Sequence, residues 1–308
     1  MTTPDFDRRC AEIARQTAQL RDLVEGADAL TPVPGCPGWH LGQLVRHVGG
    51  AHRWVEEIVR TRATREVPDD AVNEVAPRRA EDMAALGAWL DEGAGRLVAE
   101  LRAAGPGARV WTVLPGVTSP AFWARRMAGE TLVHRADAAL AVGAEFTATD
   151  EAARDAVDEW LSFCDHPEAY APLPGSPAVL GPGRTLAFDT APGAAAGGGS
   201  PTGGAPPADG GPAASGSPAP GNTPSAAGHP LTCDAPGPTA PARWLVDLTG
   251  DAPVLHRTAA PAAVTVRATP TALLLFLYGR PVPDGSLDIT GDRDLLTLWR
   301  DRAAFWLT

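Results

Sequence analysis

The sequence predicts an α+β protein, an N-terminal four-helix bundle followed by a smaller α+β domain. Three observations predict it. Up to about residue 166, apolar residues recur at helical spacing in long segments joined by moderate loops, as in an up-and-down bundle. From about residue 167 the pattern changes to short stretches rich in β-branched and aromatic residues, with helical segments among them. Between the first and second of these stretches, at about 191–241, the chain is almost entirely Gly, Pro, Ala and Ser. Such a segment cannot bury enough apolar area to offset its ordering entropy. It reads as a disordered insertion in a surface loop of the second domain, where added length costs little. The domains are therefore placed at 1–166 and 167–308.

The first helix is "PDFDRRCAEIARQTAQLRDLVEG", closed by Gly26. The turn-rich "TPVPGCPGW" leads into a second, from about Trp39 to Arg60, with Leu41, Leu44, Val45, Val48, Ala51, Val55 and Ile58 on its apolar face. A third runs from Arg79 to Leu101 with Met83, Leu86, Leu90, Leu97 and Leu101 inward, and a fourth from about Ala121 to Val142. A shorter helix covers Asp150 to Phe163, with Asp150 as its start signal. In the second domain "RTLAFDT", "ARWLVDL", "PVLHRT", "AVTVRAT" and "SLDITGD" read as strands. The wholly apolar "TALLLFLYG" fits a buried helix or strand; a helix beginning near Pro270 or Thr271 is favoured. "DRDLLTLWRDRAAFWL" is a closing amphipathic helix.

Composition excludes several functions. A net charge of −11 argues against nonspecific nucleic-acid binding, which needs a basic footprint. The chain has no lysine, so it cannot build a phosphate-binding P-loop. No apolar run is long enough to span a bilayer, and the N-terminus lacks the pattern of a signal peptide, so a cytoplasmic protein is expected. Cys10, Cys36, Cys164 and Cys233 are scattered without a C-x-x-C pair, which argues against a disulfide framework or a zinc knuckle.

The residues with chemistry lie on two helices. His40, His47 and His52 fall in "HLGQLVRHVGGAHRW". His40 and His47 are about two turns apart and share a face, whereas His52 lies well round the cylinder, so one helix cannot hold a three-histidine site. On the fourth helix "GETLVHRAD" places Glu130 and His134 at i, i+4, leaving one face together. Such a pair is either a solvated contact worth a few tenths of a kcal/mol or part of a metal site in the bundle core, where unpaired burial would be costly. His47 on its own reads equally as a core histidine bonded to a backbone carbonyl.

Taken together, "PGWHLGQLVRHVGGAHRW" and "GETLVHRAD" resemble the metal-binding half of the DinB-like, mycothiol-dependent maleylpyruvate isomerase family, and "LLLFLYGRPVPDGSLDITGD" with "LLTLWRDRAAF" resemble its sterol-carrier-like C-terminal domain. The long insertion has no counterpart in that pattern. The resemblance implies metal ligands His47, Glu130 and His134, holding Zn²⁺ or another divalent cation with a position left open, as catalytic zinc sites do. It implies mycothiol, or a similar low-molecular-weight thiol, as cosubstrate. The implied activity is cis–trans isomerisation of an unsaturated, carboxylate-bearing small molecule of the maleylpyruvate type by reversible thiolate addition. It also points to Arg280, in "LYGRP", as a catalytic residue reaching the pocket from the second domain, since arginine pairs with carboxylates through both arms of its fork. His40 and His52 match no ligand position; His52 with Trp54 is placed at the pocket mouth or on the surface.

Other side chains are assigned lesser roles. Arg125, Arg126 and Asp137 read mainly as surface groups, with Asp137 alternatively orienting an imidazole. Cys36 has no basic neighbour in the sequence to activate it. Two other functions share the fold: a thiol S-transferase, and a non-catalytic protein binding a small ligand or partner. A hydrolase using zinc-bound water is a third, although no H-E-x-x-H motif supplies its base. A solvent-facing His47, or a Glu130 engaged by an arginine, would favour the non-catalytic reading. The partner expected is a small molecule, with no nucleic acid or membrane, and a monomer is favoured.

Overall fold

Four long helices form the first half of the chain in the computed structural model, which describes residues 3–73, 81–165, 177–190 and 242–303. They are α1 (Thr3–Val24), α2 (Leu41–Arg60), α4 (Met83–Ala104) and α5 (Pro120–Val142), with the single turn α3 (Asp70–Asn73) between the second and third. Three of the starts have a local cause. Gln43 Oε1 accepts from the His40 backbone N–H at 2.7 Å, closing the first turn of α2. Asp82 accepts from the N–H groups of Ala84 and Ala85, so α4 begins at Met83 rather than at the expected Arg79, which lies outside the described residues. Ser119 caps α5 just ahead of Pro120, and Gly143 ends it at φ 70°.

The bundle packs α2 against α4 and α5, and α1 against α4 and α5. The α2 face read from the sequence is buried throughout, from Leu41 to Ile58. Helix α5 differs. It is buried on nearly every side and carries Thr131, His134, Arg135 and Asp137 into the interior. A helix enclosed on all sides with polar residues along it must provide those residues with partners. Among the described residues no helix is long and apolar enough to cross a membrane.

The second half is a five-stranded sheet in the order β3-β2-β1-β4-β5, built from β1 (Thr185–Thr190), β2 (Arg243–Asp247), β3 (Val254–His256), β4 (Val264–Ala268) and β5 (Leu287–Gly291). β1 pairs parallel with β4, and the other pairs are antiparallel. α7 (Pro270–Leu277), capped by Thr269, settles the apolar segment as a helix, and α8 (Arg293–Ala303) closes the described chain. Residues 191–241, read as a disordered insertion, lie outside the described residues. Their two flanks, however, are neighbours in the β1–β2 pair: Thr190 N–H donates to Ala242 O at 2.9 Å, and Ala242 N–H donates to Thr190 Oγ1 at 2.8 Å.

α6 (Asp150–Ser162), capped by Thr149, joins the halves. Its Ala153, Val157, Trp160 and Leu161 share one core with Phe188 and Trp244 of the sheet, Leu273 of α7 and Trp299 of α8. Buried Asp158 on α6 accepts from Trp244 Nε1 at 2.7 Å, Arg257 Nε at 3.0 Å and Arg125 Nη2 at 2.7 Å. The helical and sheet domains therefore meet through a mixed apolar and ionic seam. That seam brings the end of α7 against α5.

Candidate metal centre

His47 sits two turns into α2, where one ring nitrogen faces backbone and the other faces α5. Its Nδ1 lies 3.2 Å from Val72 O. A carbonyl only accepts, so Nδ1 carries the proton and the lone pair of Nε2 points the other way. There it meets Glu130 Oε1 at 3.6 Å. His134 Nε2 meets the same oxygen at 3.0 Å. All three donor atoms fall within 4.8 Å of one another. Ligands about 2.1 Å from a tetrahedral zinc are about 3.4 Å apart, so this spacing suits a cation, and the N, N, O donor set suits zinc chemically. The structure thus brings together the three residues expected to act as ligands.

The groups behind them are set as firmly. Asp137, fully buried and not at the surface as read, lies with Oδ2 3.0 Å from His134 Nδ1. Arg280 arrives from the second domain and closes on Asp137 with both arms, Nε to Oδ1 and Nη2 to Oδ2, each at 2.8 Å. Its Nη1 donates to Tyr278 O at 2.7 Å, and Nη2 also lies 3.5 Å from Cys36 Sγ. Cys36 therefore has a basic neighbour, supplied from across the domain seam rather than from nearby sequence. Cys36, His134 and Asp137 form a second convergent set. There the Arg280 guanidinium takes both oxygens of Asp137, whereas the His47–Glu130–His134 set keeps Oε1 of Glu130 turned to the imidazoles.

Arg126 binds Glu130 through Oε2, and its Nη1 donates to Glu159 Oε2 at 3.1 Å and to Tyr278 Oη at 3.4 Å. Glu130 is therefore engaged by an arginine, the feature expected to favour a non-catalytic protein. The engagement uses only one oxygen, and Oε1 remains on the side of the imidazoles. Neither Arg125 nor Arg126 is a surface charge. Arg125 is held by Asp155 and Asp158, and Arg126 by its two glutamates.

Burial opposes charge throughout this cluster, and specific partners reverse it at Glu130, Asp137 and His134. Burial would raise Glu130, but Arg126 and the two imidazoles hold its carboxyl well below the usual range. Burial would likewise raise Asp137, yet His134 and Arg280 bring it down to about 2. Burial would lower His134, whereas its bonds to Asp137 and Glu130 hold it well above the ordinary histidine value. Burial alone dominates Glu159, and its carboxyl is raised.

The connection before α2 forms one wall. Val33 N–H bonds Trp39 O at 2.9 Å, and Cys36 and Trp39 close successive turns inside it. The Trp39 ring lies 5.1 Å from that of His47 at a steep angle, and stacks over His134 at 6.5 Å. Gly35 passes so near the clamp that a Cβ there would lie 1.9 Å from Asp137 Oδ1.

Two histidines and a tryptophan land away from their expected places or outside the centre. His40 is at the N-cap of α2. His52 is in the core, with Nε2 2.9 Å from Thr131 Oγ1. Trp54 donates to Val67 O at 2.9 Å and packs on Trp111 and Trp123, so neither it nor His52 lines a pocket mouth. Trp39 and Tyr278 escaped sequence reasoning, because nothing local in the sequence ties them to Glu130 or His134. Asp137 had a signal in its i, i+3 spacing from His134.

Residues 10–139 match the family model described as the mycothiol maleylpyruvate isomerase N-terminal domain, a span that contains His47, Glu130, His134 and Asp137. The crystal structure of the mycothiol-dependent maleylpyruvate isomerase aligns with a TM-score of 0.54 at 14% identity, over 94% of this chain and 93% of that one. A histidine-to-alanine mutant of that enzyme aligns with a TM-score of 0.53, also at 14% identity and over 94% and 93% of the two chains. At that identity the alignments speak to the fold, which extends through the sheet domain. No curated protein matches the sequence. The helical domain of the chain is thus similar in sequence to the mycothiol maleylpyruvate isomerase N-terminal domain, and the chain as a whole is similar in fold to that enzyme.

Proposed function

We propose that the protein is a metal-dependent isomerase that uses mycothiol, or a similar low-molecular-weight thiol, to interconvert cis and trans forms of an unsaturated, carboxylate-bearing small molecule of the maleylpyruvate type. The observation that carries the proposal is the convergence of His47 Nε2, His134 Nε2 and Glu130 Oε1 on one point between two helices. These three residues would hold zinc or another divalent cation, which when bound favours the thiolate form of a thiol at neutral pH.

The chain's own residues do the positioning. Val72 O fixes the tautomer of His47, and Asp137 holds the ring of His134, so that both Nε2 atoms face Glu130. Trp39 covers the two imidazoles with an apolar ring and limits the access of water on that side. Arg280 brings a positive charge to the site from the second domain and would attract a substrate carboxylate, which must share the guanidinium with Asp137.

Incubation of the zinc-loaded protein with mycothiol and a panel of unsaturated diacids, followed by NMR and mass spectrometry, tests this. Altered alkene geometry at unchanged mass is the expected result. A product heavier by one thiol would replace isomerase with S-transferase, and no change in any diacid would retire the enzymatic reading.

A further inference from the structure

The end of α7 is a rigid turn that aims two side chains at the metal centre. Arg280 N–H bonds back to Leu275 O at 2.8 Å and Gly279 N–H to Phe276 O at 3.1 Å, with Gly279 at φ 69°. This pairing is the Schellman motif, in which the glycine adopts the left-handed conformation that a side chain would resist. It fixes Tyr278 and Arg280 relative to a helix whose Leu273, Leu274, Phe276 and Leu277 are buried in the shared core.

Both side chains reach α5, and each stops one residue short of a ligand. Arg280 clamps Asp137, which meets His134 Nδ1. Tyr278 Oη accepts from Arg126, which binds Glu130 Oε2. The two ligands on α5 are thus each backed from the second domain through one intermediate. Alone, α5 would leave Asp137 buried without its bidentate partner, free to rotate away from His134.

We propose that Tyr278 and Arg280 are positioning residues of the metal centre, acting through Arg126 and Asp137, so that seating of the sheet domain sets how tightly the helical domain binds its cation. The inference rests on the metal-site reading above. Coupling of this kind is reciprocal, so the cation strengthens the domain seam by the same factor. It also separates two roles for Arg280. A guanidinium that only met substrate would change KM and leave metal binding alone.

The test uses the full-length chain. Zinc affinity is measured by chelator competition, and the absorption spectrum of the cobalt(II)-loaded protein reports ligand geometry. Loss of such a supporting group weakens metal binding by about 10- to 100-fold. Arg280→Met and Asp137→Asn should each produce a loss in that range with an altered cobalt spectrum. The double variant should be little worse than either, because the two residues act in series. Arg280→Lys, which keeps the charge but not the fork, should recover only part. Tyr278→Phe removes one hydroxyl from an intact core and should give a smaller loss, which guards against mistaking misfolding for the effect. Wild-type affinity and spectrum in Arg280→Met and Tyr278→Phe would overturn the inference while leaving the metal site standing. A wild-type chain that binds no divalent cation would instead overturn the metal-site reading itself.

Discussion

Arg126 takes one oxygen of Glu130 and leaves the other, holding Oε2 while Oε1 faces His134 Nε2 at 3.0 Å and His47 Nε2 at 3.6 Å. This division lets a carboxylate be charge-compensated in the bundle and still present a free edge to a cation. Arg126 also serves Glu159, so its removal strands one buried and one part-buried carboxyl group. Arg126→Met should destabilise the metal-free protein by about 2–3 kcal/mol, below the full cost of orphaning a buried charge because Arg126 retains some solvent contact. Saturating zinc should restore much of the loss. Urea unfolding in chelator and in zinc measures both numbers.

Three histidines share the region of α2, yet only His47 faces Glu130. Elemental analysis should find about one zinc per chain in the wild type. His47→Ala and His134→Ala should each lose it. His40→Ala should keep it, since His40 is occupied with Gln43 at the helix start.

His52 makes stability depend on pH. The Thr131 hydroxyl donates to Met127 O at 2.7 Å, so it must accept from His52 Nε2, and among the described residues Nδ1 has no partner. Burial, aided by the charge of Arg53, lowers this imidazole to about 3. An unfolded histidine titrates near 6.5, so between those values the unfolded chain binds more protons and stability falls as pH drops. Relative to a His52→Gln variant, the wild type should lose about 2 kcal/mol more between pH 7 and pH 5. Urea melts at the two pH values check the sign and size.

Two glycines should respond oppositely to alanine. Gly35→Ala drives a methyl group into Asp137, whose carboxylate is held by Arg280 and His134 and cannot yield without breaking one of them. A loss of about 1–3 kcal/mol is expected, with a shift in the His134 ring resonances. Gly95, exposed within α4, has open space where an added methyl group would go, with nothing within 4 Å. Gly95→Ala should stabilise by about 0.5–1 kcal/mol through helix propensity. Thermal melts of the pair distinguish the steric effect from the conformational one.

Most helices were legible because they carry a start or stop signal and an apolar face, as the seven inward residues of α2 show. The convergence of His47, Glu130 and His134 was legible through the i, i+4 spacing of Glu130 and His134 and the resemblance that singled out His47. What lay beyond reading was pairing at long range. Nothing near Asp137 announces Arg280, and nothing near Arg126 announces Tyr278, because those contacts exist only once α6 and α7 have packed. Cys36 illustrates the same limit, as its cation lies 244 positions away. His52 was misplaced because helical angle excludes it from His47's face without revealing that its own face is also covered.

The mutual bonds of Thr190 and Ala242 have a consequence for how this chain tolerates length. Once those two residues are paired, the register of β1 with β2 is settled by Asp189 and Arg243 behind them, whatever the peptide between does. The sheet is therefore indifferent to what is spliced at that point. A short Asn-Gly linker, a fluorescent reporter or a purification tag should all be accepted there without disturbing the His47–Glu130–His134 cluster between α2 and α5.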